Sequence, residues 1–108
     1  MHFSLIQYHY PNPNPRIYDF GIILFRDDWT FTSKVIPGIL DFTRVPYSKD
    51  QLTTSANAIV SRLEADTPKS SGDIEVFRSN NVGDIQISPP RQLDEELILN
   101  RLADFFIY

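Results

Sequence analysis

From Ile17 to Phe25 the chain is nearly unbroken apolar sequence, rich in β-branched and aromatic residues and bounded by Asp27-Asp28. Apolar side chains at both odd and even positions predict a strand covered on both faces, hence a central strand. His2 to Tyr10 reads as a strand before it, with Phe3 and Leu5 on one side and Ser4, Ile6 and Tyr8 on the other. Pro11-Asn12-Pro13-Asn14-Pro15 ends it, because proline cannot donate to a ladder and holds the preceding residue extended. Trp29 to Ile36 alternates as a third strand, Trp29, Phe31 and Val35 pointing one way and Thr30, Thr32 and Lys34 the other.

A two-residue turn at Asp27-Asp28 would set Leu24 opposite Phe31, Ile22 opposite Ser33 and Phe20 opposite Val35. One face then gathers Phe20, Ile22, Leu24, Trp29, Phe31 and Val35, with Ile6 and Tyr8, and needs a cover of helices. The other mixes Phe3, Leu5, Ile23 and Phe25 with Thr30, Thr32 and Lys34. That face is too apolar for ordinary solvent surface, which makes it a candidate interface for self-association or a protein partner. Coverage by the chain's own loops is the alternative.

Pro37-Gly38 breaks the third strand, and Ile39 to Pro46 reads as an irregular connector. A helix follows with complete start signals: Ser48 as N-cap, Gln51 closing a capping box, and Tyr47 with Leu52 at the staple positions. Leu52, Ala56, Ile59, Val60 and Leu63 share one helical face, and the helix should fade near Ala65-Asp66. Thr67 to Gly72 is loop by composition. Asp73 to Arg78 and Asp84 to Ser88 read as two short strands, with turn chemistry at Asn80-Asn81-Val82-Gly83. After Pro89-Pro90 a last helix is expected from Asp94, its stripe formed by Leu97, Ile98, Leu102, Phe105 and Phe106. The expected fold is a single α+β domain over residues 1–108. Its antiparallel sheet has four to five strands, with two helices packed mainly on one face, in the order βββαββα.

At 108 residues the chain is long enough to bury a core without a disulfide or metal staple, and it has no cysteine. Thiolate catalysis and cysteine metal sites are thereby excluded. No apolar run approaches the roughly 18 residues of a membrane span, and the start lacks a basic n-region, so a cytoplasmic protein is expected. The formal net charge is −4. Charges cancel over residues 1 to 60, so the excess lies in the C-terminal half. An acidic half is a poor phosphate binder, which argues against direct nucleic-acid binding and suits a basic partner surface.

Candidate chemistry is sparse. His9, between Tyr8 and Tyr10, is a possible general base for a small enzyme using Asp19 and Tyr18, although strand alternation would send those two to opposite faces. Asp27-Asp28 fits turn chemistry, and Asp94-Glu95-Glu96 fits the positive end of a helix dipole. There is no G-x-S-x-G signature and no phosphate-cradling loop, and neither cofactor nor metal is expected. The leading expectation is a non-enzymatic interaction module, with Phe3, Leu5, Ile23, Phe25, Tyr8, Tyr10, His9 and Asp19 as candidate binding residues. An acidic inhibitor of a nucleic-acid-binding protein, using Glu95, Glu96 and Asp104, is a further reading.

Two stretches together resemble a bacterial family of uncharacterised proteins, domain of unknown function thirty thirty-seven. The first is Ser4-Leu5-Ile6-Gln7-Tyr8 with Pro11-Asn12-Pro13 and Gly21-Ile22-Ile23-Leu24-Phe25. The second is Ile85-Gln86-Ile87-Ser88-Pro89-Pro90-Arg91 with the terminal Leu102 to Tyr108. The chain departs from the family pattern at Arg16 and Asp19, where a glutamate and an asparagine are usual. Some members are encoded beside HipA-like serine/threonine kinases, so the resemblance implies an accessory or regulatory partner role.

Overall fold

A computed structural model describes residues 1–10, 16–35, 48–81 and 83–92. The elements are β1 (His2–Tyr10), β2 (Arg16–Phe25), β3 (Phe31–Val35), α1 (Lys49–Asp66), α2 (Ser71–Asn80), β4 (Ile85–Ile87) and β5 (Arg91–Gln92). All strand pairs are antiparallel, in the spatial order β3-β2-β1-β4, with β5 also pairing with β1. The described residues adopt the expected α+β class, an antiparallel sheet of four to five strands with two helices. The proline loop, the connector before Ser48, Tyr47 and the expected helix from Asp94 lie outside the described residues.

The β2–β3 register differs by one residue from the expected one. Trp29 N–H donates to the Arg26 carbonyl at 2.9 Å, and Arg26 N–H donates to the Thr30 carbonyl at 2.8 Å. The loop therefore has three residues, Asp27-Asp28-Trp29, with Trp29 in the left-handed region at φ 66°. A type I turn followed by a left-handed residue is the usual three-residue hairpin solution. Phe25 consequently opposes Phe31, and Leu24 opposes Thr32.

A β-bulge shifts the other side of β2. Ile6 opposes Gly21 and Gln7 opposes Asp19, which leaves Phe20 without a partner across the ladder. An inserted residue reverses the phase of alternation. Tyr18 and Phe20 thus join Ile23 and Phe25 on one face, instead of Phe20 joining Ile22 and Leu24. That face forms the main core with Ile6, Tyr8 and Ile87, beneath Leu52, Ala56, Ile59 and Leu63 of α1 and Ile74 and Phe77 of α2. Phe3, Leu5 and Ile22, with half-buried Leu24, form a second cluster. Each fully buried large side chain contributes about 1.5–3 kcal/mol, so the larger cluster dominates the fold.

α1 starts as the sequence predicts: Ser48 Oγ accepts from Gln51 N–H at 3.2 Å, and the Gln51 side chain accepts from Ser48 N–H at 2.8 Å. Residues 73–78, expected as a strand, belong to α2 instead. Ser70 Oγ accepts from Asp73 N–H at 3.2 Å, and the Asp73 carboxylate accepts from Lys69 N–H at 2.8 Å. The first bond takes up an orphan donor of the opening turn, and the second ties the residue before the cap to that turn. Ile74 and Phe77, three residues apart, are buried, while Val76 is 61% exposed. A helical period accounts for that burial, because alternation would have placed Ile74 and Val76 together.

Candidate functional site

The two edges of the sheet are finished differently. In an antiparallel ladder successive residues aim their N–H and C=O groups alternately at the two neighbours. His9 N–H donates to the Asp84 carbonyl at 2.7 Å and Ser88 N–H to the Leu5 carbonyl at 2.8 Å. Ile85 and Ile87 lie between these bonded positions, so their carbonyls point away from β1. Side chains from the end of α2 take both: Asn81 Nδ2 donates to the Ile85 carbonyl at 3.0 Å, and Arg78 Nε to the Ile87 carbonyl at 2.8 Å.

At the opposite edge, the Arg26–Thr30 bond sets the phase, so Leu24–Thr32 and Ile22–Lys34 are the bonded pairs of β2 and β3. Phe31, Ser33 and Val35 therefore direct their backbone groups outward. Among the described residues, no strand lies beyond β3 and no side chain bonds to those groups. Among the described residues β3 is therefore an edge strand, the position at which sheets pair with further strands.

Beside this edge, the C-terminal end of α1 and the loop after it enclose a cleft of about 440 Å³ with the hairpin. Trp29, Phe31 and Val60, all half-buried, and buried Pro68 give it an apolar floor. Asp28, Glu64 and Lys69 are exposed on its rim. The Trp29 ring is held from below by stacking on His2 (centroids 4.6 Å apart) and by a tilted contact with Phe25 at 5.4 Å. Phe31 meets Phe25 edge-on at 5.6 Å. Asp28 Oδ1 accepts from the Thr30 hydroxyl at 2.6 Å and from Thr30 N–H at 3.0 Å. The hydroxyl bond first, and the N–H bond after it, hold the Asp28 carboxyl below the usual aspartate range.

A second cleft, of about 310 Å³, lies between α1 and the approach to β4. Two of its polar side chains, Arg62 and Asn81, are engaged with each other. Arg62 Nη2 donates to Asn81 Oδ1 at 3.0 Å, and Asn81 bonds onward to Ile85. This arrangement ties α1 to the β4 edge.

The residues singled out from sequence are not gathered into one surface. Ile23, Phe25 and Tyr8 lie in the main core at 1% exposure or less, so none of them is available to the expected interface. Phe3 and Leu5 remain on the opposite face with Ile22 and Leu24, but Phe3, Leu5 and Ile22 are themselves removed from solvent within the single chain, so that face is not an open apolar patch. Tyr10 closes β1 opposite Arg16.

His9 and Asp19 are linked through Gln7: His9 Nε2 lies 3.2 Å from Gln7 Oε1, and Gln7 Nε2 donates to Asp19 Oδ1 at 2.9 Å. If the amide oxygen accepts, His9 carries its proton on Nε2. The direct partner of His9 is thus a neutral amide. Tyr18 is on the other face, its ring 6.5 Å from that of Tyr8. The cleft residues Trp29, Phe31, Val60 and Pro68 were not foreseen together, since they come from a hairpin and a helix end about thirty residues apart. Among the described residues, no group of three or more His, Asp or Glu side chains is placed to hold a metal ion, and no helix is long and apolar enough to cross a membrane. No family model, curated protein or solved structure matches this chain.

Proposed function

We propose that this chain is a non-enzymatic protein-interaction module that binds its partner along β3, in the cleft beside it. The observation that carries this reading is the contrast between the two sheet edges. The outward carbonyls of β4 are capped by Asn81 and Arg78, whereas those of β3 meet no described residue and adjoin an aromatic-floored cleft. Partner strands recognised in this way gain affinity from main-chain hydrogen bonds and specificity from alternate side chains. The family resemblance adds a HipA-like kinase as one partner to test. An enzyme built on His9 has less support, because a glutamine amide cannot stabilise an imidazolium as a carboxylate does.

A photo-crosslinking residue at Ser33, compared with one at exposed Val76, tests the proposal. The expected result is one discrete adduct from position 33 and none from position 76. Purified with the chain, the same partner should slow amide exchange at Phe31 and Ser33. A partner that binds without altering β3 exchange would overturn the reading.

A further inference from the structure

The cleft also limits what kind of segment β3 can accept, an inference that rests on the docking reading above. A strand added to β3 would turn every second side chain toward α1 and the others toward the opposite face. Its α1-facing side chains would enter the space between β3 and the C-terminal end of α1. At about 440 Å³ that space is within the size range of specific ligand pockets, about 300–1,000 Å³.

The floor and rim differ in character. Trp29 and Phe31 present half-buried aromatic surface against Val60 and Pro68, which suits an aliphatic or aromatic side chain. The rim carries two carboxylates, Asp28 and Glu64, against one lysine, Lys69. α1 adds its negative dipole end, and its last turn holds no basic residue. A cation on the rim would also lie near two aromatic rings, a favourable arrangement.

We propose that the docking segment is an extended peptide of mixed apolar and basic character. An apolar side chain enters the Trp29–Phe31 floor, and a lysine or arginine at a neighbouring position on the same strand face meets Asp28 and Glu64. The fit is one of charge and shape together. A second copy of this chain is a poorer occupant, because its net charge of −4 opposes a like-charged approach.

The test uses a displayed library of nine-residue random peptides selected against the intact protein, with hits resynthesised for titration. Trp29 is the only tryptophan, so its emission reports occupancy of the cleft directly. Selected peptides should carry Lys or Arg two residues from Ile, Leu, Val or Phe, and should shift Trp29 emission. Asp28→Lys/Glu64→Lys should weaken them about tenfold or more and favour their Lys→Glu counterparts. Glu64→Lys alone, which leaves the Asp28–Thr30 bonds intact, should give a smaller change of the same sign if the double variant misfolds. Peptides that shift Trp29 emission without a basic residue would overturn the charge preference and leave the docking reading standing. Hits that leave Trp29 unmoved, or an absence of hits, would overturn both. Concentration-dependent dimerisation that protects β3 without peptide would replace the peptide with a second copy.

Discussion

Ser88 closes the sheet against Leu5 with its side chain as well as its backbone. Its hydroxyl accepts Leu5 N–H at 2.7 Å, while its own N–H donates to the Leu5 carbonyl at 2.8 Å. Pro89-Pro90 follows at once, before β5 resumes pairing with His2 and Phe3. The hydroxyl thus substitutes for a ladder acceptor where the edge is interrupted.

Ser88→Ala should therefore leave a buried donor unpartnered and cost about 1–3 kcal/mol in urea unfolding. Ser4 is the internal comparison, being fully buried with an Oγ that has no hydrogen-bond partner among the described residues. Ser4→Ala should be neutral or stabilising. Equal losses at the two serines would contradict this distinction.

Gly21 sits where the sheet is tightest. A Cβ there would lie 2.9 Å from Ile6 Cδ1 and 2.9 Å from the Lys34 carbonyl oxygen. Gly21→Ala should destabilise by about 1–3 kcal/mol, as overpacking does. Ile6→Val removes one of the two obstructing atoms, so the double variant should lose less than the sum of the single changes. Strict additivity in a double-mutant cycle would contradict the contact.

Trp29 holds a left-handed backbone at φ 66°, which glycine adopts without a steric penalty. Both Trp29→Ala and Trp29→Gly lose the contacts with His2 and Phe25. The glycine variant should nevertheless be more stable than the alanine variant by about 1 kcal/mol, reversing the usual order within regular structure. Thermal denaturation of the pair decides it, and alanine above glycine would mean the loop is built differently.

Asp28 makes hairpin stability depend on pH. Its carboxyl is held below the ordinary value chiefly by the Thr30 hydroxyl bond. Its contribution is complete above an unfolded-state pKa of about 4 and is lost as pH falls through the lower folded-state value. The advantage of the wild type over Asp28→Asn in melting temperature should shrink as pH falls from about 4 through the lower folded-state value. An advantage that persists unchanged in acid would contradict it.

Much of this architecture is written locally. The reciprocal Ser48–Gln51 box and the spacing of Leu52, Ala56, Ile59 and Leu63 specify α1, and β1 and β2 follow their apolar runs. Which faces meet was not legible, because that depends on two one-residue events. Phe20 is inserted opposite a continuous β1, and Trp29 occupies a left-handed position without the glycine or asparagine that would announce it. Ile74-Glu75-Val76 alternates over too short a run to separate strand from helix, and the Ser70–Asp73 cap was the signal that would have done so. The cleft required the register and the end of α1 together.

Residue-resolved amide exchange on the free protein tests the open edge most directly. Thr32 and Lys34, bonded to β2, should exchange about tenfold or more slowly than Phe31 and Ser33, which point outward. A protected, alternating pattern of that phase is what an accessible β3 produces. Equal protection at all four amides would mean the edge is already occupied and would contradict the proposed docking site.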